Sequence, residues 1–340
     1  MGAHFDVVTA DSESWAHDPF ELVVDGDTLL GRGTTDCLGH VALLTELVRA
    51  MGDARERPRR TLTIILIANE ESSPVTGLGM EHVVASGHLD RIRGTPLVWL
   101  DGADFGPTVG TGGAARWRLD VQGVSGHSGI AYQCVNAIDL AMAVVPWLQR
   151  RFAEVAPAHP AEETYGFLGP STFKPTWIEA PNLGPATIPG RARVEGDIRL
   201  TPFYDLAEVQ RGLADAAHEL LTSIGDNRAP AGFPPVRTRD GRGAGMTFEW
   251  LSGSMEGLAC DLESPVLRLL ERAIQRARPG ATRIGMTGAL PLVRELRQAG
   301  FDVQITGFGL GTSYHAPNEQ ARLSDFAAGF AVLLELVREY

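Results

Sequence analysis

An unbroken aliphatic run at residues 61–68 (TLTIILIA) is followed closely by two adjacent carboxylates, Glu70 and Glu71. A β-strand that is buried on both faces has this composition, and in α/β folds ligands gather at the carboxyl ends of such strands. Neighbouring side chains diverge there, so one carboxylate can bind a cation while the other faces a substrate. The alternative interpretation is that the pair simply begins an acidic loop. The run therefore favours an α/β fold with a site at the end of this strand.

The composition excludes several classes of protein. A chain of 340 residues, 44% of them hydrophobic, can bury a large core, most readily as two domains. The formal net charge of -12 argues against nucleic-acid binding, because phosphate recognition needs a basic surface. No apolar stretch is long enough to span a membrane, and the first residues lack the pattern of a signal peptide. Cys37, Cys134 and Cys260 have no CxxC spacing and are typical of reduced thiols, so we expect a cytoplasmic protein.

Three segments of the chain differ in their residue patterns. Residues 1–112 carry strand and helix patterns typical of an α/β domain, with strands at 61–68 and 95–101 and an amphipathic helix from Leu38. Half-buried strands and amphipathic helices alternate in residues 113–260, which predicts a small α+β domain. Residues 261–340 return to the α/β pattern. We therefore predict an α/β catalytic domain that is interrupted by an inserted α+β domain.

The elements that support this division are predicted from periodicity. In the inserted segment, strands are expected at 115–124, 192–200 and 245–251, and helices at 136–152 and 206–224. In the last segment, helices are expected at 264–277 and 323–340, and a strand at 301–309.

Metal-ligating residue types follow several of the predicted chain breaks. His4 and Asp6 lie at the end of a strand tail, Asp36 follows a glycine-rich loop, Asp101 ends a strand and His315 follows a glycine-rich turn. Imidazole and carboxylate are zinc ligands, and two ions about 3.5–4 Å apart need a carboxylate that bridges them. Asp6 can accept the second ring N–H of His4 and so fix its tautomer. Together these residues indicate a two-metal hydrolase.

Structural alternatives remain open for individual members of this set. Asp36 precedes a helix, so it can equally be an N-cap, and His4 with Asp6 can be an ordinary surface pair. Cys37 and Ser72 are possible nucleophiles, but neither has a base at a defined spacing. The remaining histidines have no such context and are interpreted as structural or surface residues: His17, His40, His82, His88, His159 and His218.

An ordered set of short strings identifies a family resemblance. GAHFDVV, GRGTTDCLGH, ANEESS, WLDGAD, GHSG and SYHAPNE occur in this order and resemble the M20 metallopeptidases and deacylases. The longer strings DVVTADSESWAHDPFEL, RGTTDCLGHVALLTELV, YGFLGPSTFKPT and GDIRLTPFYD are most similar to the branch that deacetylates acetylornithine. The resemblance covers essentially the whole chain. It implies a catalytic domain with a mixed sheet flanked by helices, and an inserted domain that serves as lid and dimerisation domain.

The resemblance also implies roles for individual residues. Asp36 is expected to bridge two zinc ions, for which Co2+ is a possible substitute. His4 and Asp101 would complete one metal site, and Glu71 and His315 the other. Glu70 would be the general base, and Asp6 the partner that orients His4.

Substrate-facing roles are implied in the same way. His127 in GHSG matches a histidine that reaches into the active site of the partner subunit and stabilises the oxyanion. Arg199 matches an arginine that binds the substrate carboxylate, which suits a planar guanidinium. Gly288 is expected to line the substrate pocket.

Two departures from the family pattern are visible in the sequence. Members normally carry a helix and strands ahead of the strand that holds His4, whereas here that strand begins at Met1. We expect either a chain start assigned at an internal Met, or a missing part of the sheet, which would expose a sheet edge and remove packing beside His4. Ala186 stands where the family usually has an Asn that helps to hold substrate, with Asn182 four residues earlier.

The function that these features imply is deacylation of an N-acyl amino acid, with N2-acetyl-L-ornithine as the expected substrate. The products would be L-ornithine and acetate, which places the reaction in arginine biosynthesis. The expected assembly is a homodimer formed through the inserted domain, with no nucleic-acid or membrane partner. Two alternatives remain: a desuccinylase, dipeptidase or other aminoacylase of the same chemistry, or an inactive truncated homologue that acts as a binding partner.

Overall fold

The chain divides into two compact units in the computed structural model, which describes residues 1–54, 58–71, 75, 77–181 and 184–340. The first unit contains Met1–Gly110, Leu258–Met286 and Leu290–Tyr340, and the second contains Thr111–Gly257 and Thr287–Ala289. The second unit is therefore inserted into the first along the chain. Ser72 and Asn182 lie outside the described residues.

The elements run in the following order along the chain. From the start to the end of the first long segment they are β1 (Gly2–His4), β2 (Val23–Asp25), β3 (Thr28–Leu30), α1 (Leu38–Asp53), β4 (Ile65–Ile67), α2 (Met80–Ala85), β5 (Pro96–Leu100) and β6 (Thr108–Thr111). The inserted unit follows with β7 (Gly113–Gln122), β8 (Gly126–His127), α3 (Ala137–Val155), α4 (Ala161–Thr164), β9 (Thr172–Glu179), β10 (Thr187–Ile188), β11 (Arg191–Leu200), α5 (Leu206–Gly225) and β12 (Gly245–Trp250). The remaining elements are β13 (Leu258–Ala259), α6 (Pro265–Ala277), β14 (Ile284–Met286), α7 (Pro291–Gln298), β15 (Asp302–Thr306), β16 (Gln320–Arg322) and α8 (Leu323–Glu339).

A mixed sheet forms the centre of the first unit. Within the described ranges it has seven strands in the order β13-β6-β15-β5-β1-β4, with β14 paired to β6. Strands β4, β1, β5 and β15 run parallel, and β6 runs antiparallel to β15. Because the carboxyl ends of the parallel strands meet at one edge, the residues that follow them are brought together there. The predicted α/β fold with a mixed sheet is confirmed.

Strand β1 lies inside this sheet, between β4 and β5, and His4 at its end is fully buried. On this side the sheet ends at β4, so His4 lies one strand in from the edge. The strand predicted at 61–68 is also shorter than expected, since β4 covers only Ile65–Ile67. Leu66 is 43% exposed, so β4 is not buried on both faces as the aliphatic run predicted.

Helices α1, α6 and α8 pack their apolar faces into the core of the first unit. In α1 the buried residues His40, Leu43, Leu44 and Leu47 recur at helical spacing. The start of α6 is set by Ser264, whose hydroxyl accepts from the backbone N–H groups of Val266 at 3.1 Å and Leu267 at 3.3 Å. Pro265 occupies the first helical position, where its missing N–H costs no hydrogen bond.

The second unit has an antiparallel sheet with its own core. Its strands have the order β12-β7-β11-β9 among the described residues. Buried and more exposed residues alternate along β7 and β11, and the buried set packs against α3 and α5. This is the half-solvated pattern that the sequence predicted for these two strands. Strands β8 and β10 form a separate short pair.

Some elements were not predicted from the sequence. They include the edge strand β9, the helices α2, α4 and α7, the short strands β6, β8, β10, β13 and β14, and the small sheet of β2, β3 and β16, which the structure orders as β16-β3-β2. No helix within the described part of the chain is both long and apolar enough to cross a bilayer.

His40 is the one imidazole in α1, and it is fully buried beside Phe308 and Phe326. Its Nε2 accepts a hydrogen bond from the backbone N–H of Phe308 at 2.9 Å, which requires an unprotonated nitrogen. This position confirms the interpretation of His40 as a structural residue.

We predict that acid destabilises the first unit through His40. Burial lowers the pKa of His40 to about 4, whereas the unfolded chain takes up the same proton near pH 6.5. The folded state therefore loses stability as the pH falls from about 6.5 to about 4, by roughly 2–4 kcal/mol in total. Chemical denaturation in the presence of a chelator, across this pH range, measures the loss.

The variant H40Q provides the comparison, because its amide oxygen can still accept from Phe308. The acid-induced loss should be clearly smaller in H40Q and unchanged in H218Q, a substitution at an exposed position of α5. An equal loss in wild type and H40Q would contradict the assignment to His40.

Candidate metal centre

His4 is the last residue of β1, and the chain directly after it fixes the orientation of its ring. Its Nδ1 donates to the backbone oxygen of Asp6 at 3.0 Å. Its Nε2 then faces two carboxylates, Asp36 Oδ1 at 3.1 Å and Asp101 Oδ2 at 3.6 Å. A histidine whose other ring N–H is held by a backbone carbonyl has the arrangement of a typical metal ligand.

Asp36 lies between two imidazoles. One carboxylate oxygen, Oδ1, is 3.1 Å from His4 Nε2, and the other, Oδ2, is 3.1 Å from His315 Nε2. The N-cap position of α1 is occupied by Cys37, and no side chain caps the helix there. The N-cap interpretation of Asp36 is therefore wrong, because its carboxylate points to the two histidines. This is the geometry that a bridging carboxylate needs.

Glu71 and His315 form the other half of the cluster. Glu71 Oε2 lies 3.0 Å from His315 Nε2, the same nitrogen that faces Asp36. His315 has a backbone φ of 56°, in the left-handed region that non-glycine residues rarely adopt. The imidazole is half-exposed, whereas the Asp36 and Glu71 carboxylates beside it are buried.

Asp6 has a different role from the one that the sequence predicted. Its carboxylate is 3.5 Å from His4 Nδ1, farther than the backbone oxygen that accepts from that nitrogen. Asp6 Oδ2 instead accepts from the backbone N–H groups of Glu70 at 2.9 Å and Glu71 at 3.1 Å. The expected side-chain contact that fixes the His4 tautomer is thus replaced by a backbone one. The carboxylate of Asp6 holds the turn that carries the two glutamates.

Asp101 follows β5 directly and is held from two sides. Its Oδ2 accepts from Trp99 Nε1 at 3.2 Å, and its backbone N–H donates to Thr306 at 3.0 Å. Trp99 is fully buried and packs so closely over Gly2 that a Cβ at Gly2 would overlap the indole. Sequence reasoning missed Trp99; the available signal was its position two residues before Asp101, on the same face of a strand.

The electrostatics of the cluster reflect the crowding of carboxylates. Burial opposes protonation of His4, but its hydrogen bonds with Asp101 and Asp36 outweigh this and raise its pKa far above the usual range. Hydrogen bonds with Asp36 and Glu71 raise the pKa of His315 to about 10. Burial, with the nearby charge of Asp101, raises the pKa of Glu70 to about 8. The pKa values of all three groups are raised, which shows that the site favours positive charge.

The residues present fit metal ions. Glu71 Oε1 is buried without a hydrogen-bond partner among the described residues. Unpartnered buried carboxylate oxygens are costly, and cations can satisfy them. His4, Asp36 and Glu71 each offer a ligand atom within 4.8 Å of one another. The nitrogen and carboxylate donors suit zinc and similar ions.

Cys37 offers a second grouping with His4 and Asp101. The thiol, however, donates to the backbone oxygen of Leu100 at 3.0 Å, and burial raises its pKa to about 12. It is therefore a poor nucleophile, which agrees with the sequence-based interpretation.

The other three predicted site residues belong to the second unit. His127 ends β8, and its Nδ1 accepts from the backbone N–H of Gly129 at 2.9 Å, which leaves the ring proton on an exposed Nε2. Arg199 lies on β11, where its Nε donates to Asp197 at 3.0 Å. Gly288 is exposed, and its backbone oxygen accepts from Gly112 at 2.8 Å.

Comparisons with known proteins agree with this geometry. A sequence profile described as peptidase family M20/M25/M40 matches residues 1–339. The chain belongs to this family. Family M20 consists of hydrolases that cleave amide bonds, and membership implies a metal cofactor, in agreement with the donors described above.

Individual members of family M20 are similar over the whole chain. The acetylornithine deacetylase of Arabidopsis thaliana is 42% identical over 341 residues, which cover 100% of this chain and 77% of that protein. The acetylornithine deacetylase of Dictyostelium discoideum is 39% identical over 339 residues, covering 98% of this chain and 76% of that protein. The solved structure of the Saccharomyces cerevisiae di-peptidase Dug1p superposes with a TM-score of 0.70 at 17% identity. The superposition covers 99% of this chain and 78% of the di-peptidase chain, and at this identity it supports the fold alone.

We predict that Asp36 is required for both metal ions. In D36N, an amide replaces the carboxylate that faces both histidines, so metal content should fall from about two ions per chain to below one. Elemental analysis after dialysis against zinc measures this. D104N is the matched control, because Asp104 lies three residues after Asp101 and is exposed. Equal metal content in D36N and D104N would contradict the bridging role.

Proposed function

We propose that the protein is a dizinc amidohydrolase that removes the acyl group from an N-acyl amino acid. N2-acetyl-L-ornithine is the proposed substrate, and L-ornithine and acetate are the products, as in arginine biosynthesis. Two relatives named as acetylornithine deacetylases at 42% and 39% identity support the substrate. The observation that carries the chemistry is the Asp36 carboxylate, which presents one oxygen to His4 and the other to His315.

Five side chains are proposed to hold the two ions. His4 and Asp101 would bind one, Glu71 and His315 the other, and Asp36 both. The ions would supply acidity to a bound water and polarise the amide carbonyl. Zinc fits because the donors are imidazole and carboxylate, and Co2+ accepts the same ligands.

Glu70 is proposed to move the proton. The Asp6 carboxylate fixes the backbone at Glu70, which lies next to the ligand Glu71. A carboxylate there can take a proton from the attacking water as the oxygen adds to the amide carbon. The C–N bond then breaks, and Glu70 returns the proton to the departing amine nitrogen. The residue finishes in its starting state, ready for another turnover.

Residues of the second unit are proposed to contact the substrate. With Nδ1 of His127 already accepting from Gly129, its Nε2–H is free to donate to the oxyanion in a partner subunit. Arg199 keeps its terminal nitrogens for a substrate carboxylate, since the hydrogen bond to Asp197 uses Nε. Gly288 would line the pocket. Ala186 offers no side-chain amide, and its backbone oxygen accepts from the backbone N–H of Ser128 next to His127, so substrate choice there depends on other groups.

A homodimer through the second unit is part of this proposal. Strand β9 ends the sheet order, and six of its eight residues are exposed, including Trp177 and Ile178. An exposed strand edge with apolar side chains is a surface on which a second copy can continue the sheet.

Sedimentation equilibrium tests the proposed homodimer. Wild type should sediment as a dimer, and I178K should shift toward monomer because a charge replaces an apolar side chain at the interface. A monomeric wild type would contradict the proposed homodimer.

The proposed cellular location is the cytoplasm. It is supported by Cys37 and Cys134, which are buried free thiols, as is usual for proteins kept reduced.

The test of the proposed function is acetate release from N2-acetyl-L-ornithine by the zinc-loaded protein. Turnover should fall about 10²–10⁴-fold in E70Q, because the amide cannot accept the proton. E46Q, at an exposed glutamate of α1, should match wild type.

The substrate panel separates the alternatives. If the protein prefers a succinylated diamino acid or a dipeptide, the proposed substrate is wrong, but metal-dependent hydrolysis of an amide bond still stands. No turnover of any N-acyl amino acid by a folded, metal-loaded protein would leave only the role of an inactive binding partner.

A further inference from the structure

Glu319 is a completely buried acid that the proposed chemistry does not use. Its Oε2 accepts from Arg32 Nη1 at 2.6 Å and from the backbone N–H of Gly33 at 3.1 Å. Its Oε1 accepts from the backbone N–H groups of Thr35 at 2.8 Å and Asp36 at 2.9 Å. One carboxylate thus accepts four hydrogen bonds from the loop that ends at Asp36, three of them from backbone N–H groups.

The remaining backbone N–H groups of this loop are also satisfied. Gly31 donates to the backbone oxygen of Glu319 at 3.0 Å, Arg32 to Pro19 at 2.7 Å and Thr34 to Gly31 at 3.2 Å. Every backbone N–H from residue 31 to residue 36 therefore has an acceptor. For four of these six N–H groups the acceptor is an oxygen of Glu319. The loop contains no helix or strand, so these bonds take the place of secondary structure.

The stretch that carries Glu319 also carries His315. A second tie joins the same two segments: Thr35 Oγ1 donates to the backbone oxygen of Gln320 at 2.8 Å and accepts from the backbone N–H of Leu310 at 3.1 Å. Asp36 and His315 are far apart in sequence, yet they lie on segments that Glu319 and Thr35 hold against each other. Their separation is thus set by this contact.

We propose that Glu319 is a positioning residue for the metal site, which fixes the Asp36 carboxylate where His4 and His315 both reach it. The inference rests on the proposed metal-dependent function. Asp36 has to present one oxygen to each histidine, so a small rotation of its backbone would lose one of them. The Glu319 carboxylate holds the Asp36 N–H directly and prevents that rotation before any ion binds.

Stability alone is a weak explanation for this arrangement. A buried ion pair such as Arg32–Glu319 is on average no better than a well-packed apolar pair of similar volume. Three of the four donors to the Glu319 carboxylate belong to the loop backbone, where an apolar replacement would leave them unpaired. The hydrogen bonds to the Glu319 carboxylate therefore stabilise the loop conformation more than they contribute through the ion pair with Arg32.

The first experiment compares zinc affinity in E319Q and D325N by chelator competition at a temperature where both variants are folded. In E319Q an amide N–H₂ faces donors that need an acceptor, so affinity should fall about 10–100-fold, as for other groups that orient metal ligands. D325N removes another buried acid of the same unit, whose ion-pair partner is Arg278, and should bind zinc as wild type does. Wild-type affinity in E319Q overturns the proposal.

The second experiment needs no variant and decides the case if E319Q fails to fold. Hydrogen exchange of wild type without metal should be slow at Gly33, Thr35 and Asp36, and zinc should change it little. Fast exchange without metal, with protection only after zinc is added, would show that the ion and not Glu319 orders the loop, which overturns the proposal. Should wild type bind no zinc, the proposed function fails, while slow exchange at these amides separately reports whether Glu319 holds the loop.

Discussion

The carboxylate of Asp36 faces an imidazole at each of its two oxygens, and the charge of this cluster controls the rest of the site. His4 and His315 contact Asp36, and Asp101 and Glu71 add two further buried carboxylates. Each ion removed from water in this way costs roughly several kcal/mol unless it is compensated. Protonated histidines balance part of the charge, and two dications would balance these three carboxylates together with that of Glu70. The raised pKa values of His4, His315 and Glu70 are the signs of the same imbalance.

The fold brings these groups together with short, rigid connections. Three ligands lie at or just after the ends of parallel strands of the first unit: His4 ends β1, Asp101 follows β5 and Glu71 follows β4. The sheet itself therefore places them at a common edge. The loop after β5 and the loop after β15 are in backbone contact at Gly102 and Gly307, where any side chain would overlap the other backbone. Glu319 and Thr35 bind the Asp36 loop to the segment that carries His315. The site therefore depends on backbone contacts between loops as much as on the ligands.

Periodicity and motif order could predict the class of fold, most of the long helices and strands, and the residues that converge on Asp36. The outcome at Asp6 shows the limit: the sequence placed it near His4, but its backbone and not its side chain meets the ring. The strand predicted at 61–68 is longer than the observed β4, because aliphatic composition does not distinguish a central strand from an edge strand such as β4. Strand β9 was missed because its exposed residues leave no burial pattern. Trp99 was missed although its partner Asp101 is only two residues away. Glu319 acts through hydrogen bonds between segments distant in sequence, which no local pattern records.

The most direct test of the shared carboxylate is X-ray absorption fine structure of the zinc-loaded protein. Two ions held by Asp36 predict a zinc–zinc vector of about 3.5–4 Å and a nearest shell of nitrogen and oxygen atoms only. A spectrum without that vector, or with a zinc–sulfur distance of about 2.3 Å from Cys37, would contradict a site built around Asp36.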